Sequence, residues 1–491
     1  MPTTLQSSRN REFVPTFVTD QLNNTIVVDG INLGRRWNGV DTSTSQLGIV
    51  APTAAATVTT PVGGAAEAGD YVLYYRFKDV DGNYSSLSPK ATVTAAANDK
   101  FSWDTIPASG DTRVTDKELL RSLVGSTVTV YLVATITNAT TSYTTDTLSD
   151  AALAANTSAG IDNSDGTENL NRFDPPPTKR FAVSFFDRFF YFGDAVYKIG
   201  SVELTNGSAA VQGRGTNWTS EFANRKFYVP GHTTEYNIDS LNTGTQVITL
   251  GAVYSGTTDL MSAYSIRAHK NQRRRIYYTT VLEPESVRDN DFVLPADEGD
   301  DYTGGFSLRG YLFVCEPKRV WKIFMTSMTG RASSNNRPGV GMQHALSRGL
   351  LNNRCWAKVE DICYLMDHEG CYAFDGQSAQ DISTAVQDFW RDSSPKGINF
   401  AASDWFFVSV DPAAEVIRFH VALGESYLPW HAFVYHYRTQ QWQGIEEYPW
   451  DFGAGILCDV GGQLRPLYGG EFGKFYVSEG TLDGTTDRTI R

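Results

Sequence analysis

Residues 357–376 read AKVEDICYLMDHEGCYAFDG, and the form of this stretch recurs along the chain. A short apolar run from Ile362 to Met366 leads into a polar turn, and a second apolar run extends from Cys371 to Phe374. Such runs are too short for stable helices, and the turn between them, which contains Gly370, folds them back on each other. The stretch therefore predicts a β-hairpin.

Hairpins of the same form are predicted at five further places. The stronger copies lie at residues 188–199, 310–324 and 404–421, and the weaker ones lie at residues 24–37 and 464–477. From Leu312 through Tyr364 to Phe407 the copies fall about fifty residues apart, which is the period of four-stranded propeller blades. The sequence therefore predicts an all-β protein built on a β-propeller of five or six blades.

The composition supports this fold class and limits the partners. The chain has 491 residues, more than one ordinary core, and contains 24 Tyr, 27 Phe, 10 Trp and 43 Gly, a mixture typical of β-rich proteins. Its 42 basic and 55 acidic residues give a formal net charge of −13. An acidic surface is poorly suited to holding nucleic acid through its phosphates.

Five segments are predicted along the chain. Residues 1–50 hold an N-terminal arm, up to about residue 20, and strands that close the propeller by pairing with the C-terminal blade. Residues 51–172 and 200–268 are predicted insertions. Residues 173–199 start the propeller after a proline-rich linker, and residues 269–491 supply the remaining blades.

Each insertion has its own β-pattern. Residues 70–86, DYVLYYRFKDVDGNYSS, alternate, and further short strands surround a single tryptophan, Trp103. This spacing predicts a fibronectin type III-like sandwich within residues 51–172. One face of the first strand is predicted to carry Tyr71, Leu73, Tyr75 and Phe77. In residues 200–268, alternating strands separated by Asn-Gly, Pro-Gly and Thr-Gly turns predict a small β-barrel of about five strands.

The sequence contains no credible catalytic centre, so we expect a protein that is not an enzyme and takes no cofactor. No phosphate-binding loop, GxSxG motif or HExxH motif occurs. Carboxylates clustered in polar loops are usually solvated and are not expected to act as acid–base pairs. These carboxylates are Glu283, Glu285, Asp297, Glu298, Asp300 and Asp301.

Metal binding is not expected either. Cys363, His368 and Cys371 lie close in sequence, but the predicted hairpin places the cysteines in strands and the histidine in the turn, and no second ligand pair occurs. The run from Asp79 to Asn83 resembles a calcium loop but lacks its closing glutamate. Most of the five cysteines lie in or beside predicted strands and are expected to be buried free thiols.

Two features are candidate protein interfaces. The strongest basic cluster comprises Lys270, Arg273, Arg274 and Arg275. It could contact an acidic neighbouring subunit or DNA phosphates, or it could simply be an exposed approach to a strand. If it is an interface, changing the three arginines to glutamate is expected to weaken assembly and to leave the chain folded. The second feature is an aromatic cluster, part of which could cover a partner. Its members are Trp430, His431, Trp442, Tyr448, Trp450 and Phe452.

Several segments resemble the tail nozzle proteins of short-tailed bacteriophages, also called hub or stabilisation proteins. They include NNTIVVDGINLGRRWNGV near the N-terminus, DYVLYYRFKDVDGNYSSLSP in the predicted sandwich, and PPPTKRFAVSFFDRFFYFGD after the linker. GFSLRGYLFVCEPKRVWKIF, VEDICYLMDHEGCYAFDG and FVYHYRTQQWQGIEEYP continue the resemblance. Together, and in this order, they extend across residues 20–480.

The resemblance implies a structural protein of the virion. Six copies would form a ring below the tail adaptor, anchor fibres or a spike, and surround a lumen through which the genome leaves without specific binding. The start MPTTLQSSRNREF has no apolar signal region and no run of 18 apolar residues occurs, so we expect synthesis in the host cytoplasm and no membrane segment.

A glycan- or receptor-binding tail protein with a lectin-like propeller is the alternative. In that case an inserted module would grip glycan through surface aromatics such as Trp218. A buried barrel tryptophan is the commoner arrangement. About six particle-bound copies without free activity would favour the conduit.

Overall fold

The computed structural model shows an all-β protein. It describes residues 15–19, 24–41, 43–160, 173–223, 225–268, 273–280, 284–287, 291–295, 299–326, 339–391, 396–448, 452–460, 462–470 and 475–477. The chain divides into two compact units. The first comprises residues 1–269, 275–293 and 326–339, and the second comprises residues 270–274, 294–325 and 340–491.

The first unit begins with a four-stranded antiparallel sheet, which we call the N-terminal sheet. Its strands, in order, are Thr16–Thr19, Thr25–Val28, Arg35–Trp37 and Ser45–Gln46. The predicted hairpin at residues 24–37 is therefore present. Thr25–Val28 also pairs with Thr16–Thr19, and Arg35–Trp37 also pairs with Ser45–Gln46, so both strands of the hairpin have local neighbours, and closure of the propeller stays a prediction.

The sandwich follows as two sheets that share one core. The larger sheet has the order Ser158–Gly160, Thr129–Thr137, Val114–Ser122, Gly69–Asp79 and Ala91–Ala95, and the smaller has the order Tyr143–Asp146, Phe101–Thr105 and Thr57–Thr59. The core includes Trp103, which is fully buried, and the ring of Tyr71 meets that of Phe101 at 4.8 Å. The four residues predicted on one face of the first strand, Tyr71, Leu73, Tyr75 and Phe77, all lie in this core.

A second four-stranded sheet has the order Phe181–Phe185, Arg188–Phe192, Ile276–Tyr278 and Phe292–Val293. The predicted hairpin at residues 188–199 is wrong. Its first half pairs with Phe181–Phe185 and with the distant strand Ile276–Tyr278. Its second half contains Tyr197, which forms a bridge with Ile266 and packs into the core of the barrel.

In sequence, the barrel is inserted between the second strand of this sheet, Arg188–Phe192, and the third, Ile276–Tyr278. Its seven strands have the order Asp259–Ser262, Ser201–Leu204, Ala210–Arg214, Val247–Leu250, Tyr236–Asn242, Lys226–Tyr228 and Ser265–Arg267. The first and last strands of this order are separated by only two residues, Ala263 and Tyr264, so the chain itself brings the two edges of the sheet together. The barrel therefore has two more strands than expected.

The second unit is a series of antiparallel meanders. Three of them have four strands each. The first consists of Gly304–Leu308, Tyr311–Cys315, Val320–Met325 and Val340–Leu346, and the second consists of Trp356–Val359, Ile362–Met366, Cys371–Phe374 and Ala379–Asp381. The third consists of Phe407–Asp411, Val416–Val421, His431–His436 and Gln441–Glu447. The last sheet has three described strands, Phe452–Val460, Gln463–Gly470 and Phe475–Val477. The predicted hairpins at residues 310–324, 357–376, 404–421 and 464–477 are all present.

The turn of the hairpin at residues 357–376 shows why these sequences fold back. The carboxylate of Asp367 accepts hydrogen bonds from the backbone N–H groups of Glu369 (2.8 Å) and Gly370 (2.9 Å). Gly370 has φ +153°, a backbone conformation that side chains disfavour, and a β-carbon there would collide with Ser383. Glycine is therefore required at the turn.

Within the second unit, the first strands of the last three meanders lie side by side. Trp356–Val359 neighbours Phe407–Asp411, which in turn neighbours Phe452–Val460. Arg354 and Asn352 reinforce this arrangement, since the N–H of Val408 donates to the Arg354 carbonyl (2.8 Å) and Asn352 donates to the Phe406 carbonyl (2.9 Å). This adjacency is what consecutive propeller blades require.

Helices are minor in the described part of the chain. They comprise Asp150–Leu153 and Gln387–Arg391, with 3₁₀ turns at Ser220–Phe222 and Phe400–Trp405. Among the described residues, no helix is long and apolar enough to cross a membrane.

Candidate functional site

Arg274 of the predicted basic cluster is engaged within the fold. Its guanidinium forms an ion pair with Glu316, whose side chain is 1% exposed, and the same carboxylate accepts a hydrogen bond from the indole of Trp321 at 2.9 Å. Removing the arginine would leave a buried carboxylate without its counter-charge, which is strongly destabilising. Glutamate at this position would thus disturb the fold, contrary to the sequence-based expectation.

The other cluster residues are also only partly available. Arg275 is half-buried and its guanidinium lies over the ring of Phe292 at 4.2 Å from the centroid. Arg273 is half-buried as well. Lys270 lies outside the described residues. That this cluster forms an interface therefore stays a prediction.

The predicted aromatic interface separates into core and surface. Trp442 is half-buried, and its indole donates to the Ile382 carbonyl at 2.7 Å. Tyr448 packs against Phe452 at 4.9 Å. Trp430 is 37% exposed and remains a surface candidate, beside the 72% exposed Tyr427. Trp450 lies outside the described residues.

Glu285 was expected to be a solvated loop carboxylate, and that expectation is wrong. Its side chain is 5% exposed and forms ion pairs with Arg36 (2.8 Å) and Arg113 (3.6 Å). Oε2, the oxygen that faces Arg113, also accepts a hydrogen bond from the backbone N–H of Gly48 at 2.7 Å. Glu285 therefore joins its own segment to the N-terminal sheet and to the sandwich, and it is a structural residue.

The remaining candidate carboxylates do not form an acid–base pair that the structure describes. Asp300 and Asp301 are exposed. Glu283, Asp297 and Glu298 lie outside the described residues.

The cysteines form no metal site within the described residues. Cys315, Cys355, Cys363 and Cys371 are fully buried, and Cys458 is half-buried. Burial raises the pKa of Cys363 to about 12, so its thiol stays protonated at neutral pH. His368 lies at the hairpin turn with its ring 5.1 Å from that of Phe400.

A buried polar cluster that sequence reasoning missed surrounds His420 in the second unit. The ring is fully buried, stacks on Phe407 at 4.1 Å, and its Nε2 lies 2.9 Å from the hydroxyl of Ser409. That hydroxyl is also 3.1 Å from the hydroxyl of Tyr468 in the last sheet. Nδ1 of His420 has no hydrogen-bond partner in the described part of the chain.

Charge around His420 disfavours its protonation. Arg418, on the same strand, pairs with Glu446 (2.8 Å) and Asp411 (3.3 Å). Burial, and then the Arg418 cation, lower the pKa of His420 well below 6.5. A serine–histidine pair of this kind resembles part of a hydrolase triad, but Ser409 is only 6% exposed and its hydroxyl is engaged by His420 and Tyr468. The cluster therefore holds two sheets together.

A cleft of about 550 Å³ opens in the first unit, and no prediction from the sequence pointed to it. Its walls come from the N-terminal sheet, the segment at residues 50–54 and the sandwich. Arg35, Asp111 and Arg113 are its charged lining residues. These three lie far apart in sequence, so only the folded chain brings them together.

No protein-family model and no curated protein matches the chain. Among solved structures, a structural genomics protein of unknown function from Bacteroides thetaiotaomicron is 12% identical with a TM-score of 0.23, and the match covers 58% of this chain and 70% of that chain. Apo AztD from Citrobacter koseri is 9% identical with a TM-score of 0.21, and the match covers 89% of this chain and 94% of that chain. These TM-scores are too low for either likeness to carry an argument.

Proposed function

We propose that the chain is a structural protein of a short-tailed phage virion and forms the tail nozzle as a ring of six copies. The observation that carries the proposal is the order of modules along the chain. An N-terminal sheet, an inserted sandwich, a second sheet, an inserted barrel and a series of meanders follow one another. The segments that resemble nozzle proteins lie in the N-terminal sheet, the sandwich, the second sheet and the meanders.

A propeller is part of this proposal. The described residues contain six meander sheets, two in the first unit and four in the second. The side-by-side first strands within the second unit support a blade arrangement. Six blades is therefore the count that we propose from the five or six expected.

The proposed partners are other copies of the chain, the tail adaptor ring, and fibres or a spike. The genome would pass through the lumen of the ring, and the net charge of −13 suits a lumen that does not hold phosphates. Each lysine or arginine engaged with DNA would add attraction that ejection must break. The protein would be synthesised in the host cytoplasm and act in the virion without an enzymatic step.

The lectin-like alternative loses Trp218, the aromatic named as an example of its glycan-binding surface. Trp218 is 1% exposed, and its indole donates to the hydroxyl of Tyr264 at 2.9 Å inside the barrel. Its ring meets that of Tyr264 at 5.7 Å, edge to face. A ring held in this way cannot stack on a glycan.

Quantitative mass spectrometry of purified particles from the phage that encodes the chain tests the proposal. We expect about six copies per particle, with the major capsid protein of known copy number as the internal standard. Cryo-electron microscopy of the same particles should place the chain in a ring at the tail. A chain absent from washed particles, or present in the copy number of the capsid shell, would exclude a nozzle.

A further inference from the structure

The cleft of about 550 Å³ in the first unit has the size of a ligand site. Pockets that bind small molecules have volumes of roughly 300–1,000 Å³ and lie preferentially where domains meet. This one lies where the N-terminal sheet meets the sandwich. Its buried floor includes the rings of Tyr75 and Phe77, and its rim is exposed at Val50, Thr53 and Ala108.

Arg35 is positioned rigidly at this cleft. Its Nε donates to the hydroxyl of Thr44 at 3.0 Å and its Nη2 donates to the Thr44 carbonyl at 2.6 Å. Nη1 makes no hydrogen bond to any described residue. Two contacts therefore fix the planar group and leave one nitrogen for a ligand, which reduces the entropy lost on binding.

Arg113 is held from the other side. Its Nε and Nη2 donate to the carboxylate of Asp111 at 3.2 and 2.8 Å, and Nη2 also donates to the Gly48 carbonyl at 2.6 Å. Its buried Nη1 has no hydrogen-bond acceptor in the described part of the chain, and the nearest carboxylate oxygen, of Glu285, is 3.6 Å away. Asp111 therefore orients Arg113 without satisfying all of its donors.

The two guanidinium groups are close enough to repel each other. Burial, and then the nearby charge of Arg113, lower the pKa of Arg35, which nonetheless stays charged at neutral pH. Asp111 is the single lining carboxylate, and Glu285 supplies a second negative charge to Arg113 from outside the lining, so Arg35 is the lining cation that has no carboxylate partner among the described residues. One negative charge in the cleft would relieve this repulsion, and guanidinium groups suit carboxylate and phosphate oxygens.

The rest of the lining suits hydroxyl groups and an apolar face. Thr53, Ser109 and Thr112 add hydroxyls, while Pro52 and Pro107 add apolar surface. We propose that the cleft binds a small polyhydroxy compound that carries one oxyanion, a sugar acid or a sugar phosphate, through Arg35, which lies beside Arg113. This binding site goes beyond the proposed structural role and does not depend on it.

Three sugars with the same ring test the proposal by isothermal titration calorimetry on the full chain. Glucuronate carries a carboxylate, glucose 6-phosphate carries a phosphate, and glucose is the uncharged control. We expect saturable binding of at least one charged sugar, at least tenfold tighter than glucose, and weaker binding at high salt because the contact is ionic. The tighter of the two charged sugars identifies the oxyanion that the cleft prefers.

Variants locate the binding. Arg35→Gln removes a charge whose hydrogen bonds to described residues are those to Thr44, and Ala108→Trp fills the cleft without changing any charge. Both should weaken binding at least tenfold. Arg214→Gln, which removes a 58% exposed arginine of the barrel, is the matched control and should bind as the wild type does. Thermal unfolding of each variant checks that the chain is folded, and Thr53→Trp replaces Ala108→Trp if that variant is not.

The proposal is overturned if neither charged sugar binds more tightly than glucose. It is equally overturned if folded Arg35→Gln and a folded cleft-filling variant keep the wild-type affinity, because the sugar then binds elsewhere. Neither outcome affects the number of copies per particle, so failure of this site and failure of the proposed function are distinguishable.

Discussion

Single charged residues connect parts of this chain that are distant in sequence. Glu285 binds the backbone of Gly48, 237 residues earlier, and pairs with Arg36 and Arg113. In the sandwich, the fully buried Arg121 pairs with Asp146 at 3.0 Å and lies over the ring of Phe101 at 4.2 Å. A polar residue in a polar stretch looks solvated in a sequence, because its partner is hundreds of residues away or on another strand. Residues of this kind could not be predicted.

Replacing Glu285 with alanine tests its structural role. The change leaves Arg36 and Arg113 without their shared carboxylate and the N–H of Gly48 without its acceptor. We expect a loss of about 3 kcal/mol in the free energy of unfolding, measured by urea titration, since breaking a buried ion pair typically costs that much.

Glu203→Gln is the control for this experiment. Glu203 pairs with the largely exposed Arg214, and exposed pairs contribute less than about 1 kcal/mol. Equal losses for the two variants would show that burial of Glu285 adds nothing to its contribution.

His420 predicts a pH dependence of stability. The folded chain keeps this histidine neutral, with its pKa well below 6.5, whereas the unfolded chain takes up a proton near pH 6.5. Protons therefore favour unfolding, and stability should fall as the pH drops below about 6.5, by up to about 1.4 kcal/mol per pH unit. His420→Phe keeps an aromatic ring at the site and should flatten this dependence.

The measurement is urea unfolding at several pH values between 7.5 and 5.5. His344→Gln, at an exposed position, is the control and should keep the wild-type slope. A slope that persists unchanged in His420→Phe would assign the pH dependence to other groups.

At the scale of elements, hairpins were predictable where both strands are local. The hairpin at residues 357–376 formed as expected because its turn is encoded by Asp367 and Gly370. The hairpin at residues 188–199 did not, because Tyr191 pairs with Tyr277 across the inserted barrel. Apolar alternation predicts a strand but does not identify its neighbour, and an insertion separates neighbours in sequence.

The N-terminal sheet is predicted to stabilise the second sheet through a shared core. Leu47 is fully buried in a cluster that also contains Tyr191 and Tyr277. Leu47→Ala should cost about 2–5 kcal/mol in the free energy of unfolding, the usual range for such a cavity. Val40→Ala, at an 85% exposed position in the same region, should have no measurable effect.

Intrinsic fluorescence, followed during urea unfolding, would report this loss. If Leu47→Ala unfolds at the same urea concentration as the wild type, the N-terminal sheet is an independent appendage and not part of the first unit's core.

At the scale of the molecule, the sequence predicted the order of modules better than their construction. Short strands at regular spacing revealed the sandwich, the barrel and the serial meanders, because strand length and turn residues are local properties. The strand count of the barrel was underestimated, since Asp259–Ser262 and Ser265–Arg267 are short and separated by only two residues. The cleft could not be predicted, because Arg35 and Arg113 meet only through tertiary packing.

The contact between Gly48 and Glu285 also delays completion of the N-terminal part of the fold during synthesis. A ribosome that adds roughly 5–20 residues per second needs on the order of 10 to 50 s to make the 237 residues between them. During that interval the nascent N-terminal sheet lacks both its carboxylate partner and the strand Ile276–Tyr278. The first fifty residues therefore wait on the ribosome for nearly half of the chain, exposed to chaperones and proteases, before their fold can be completed.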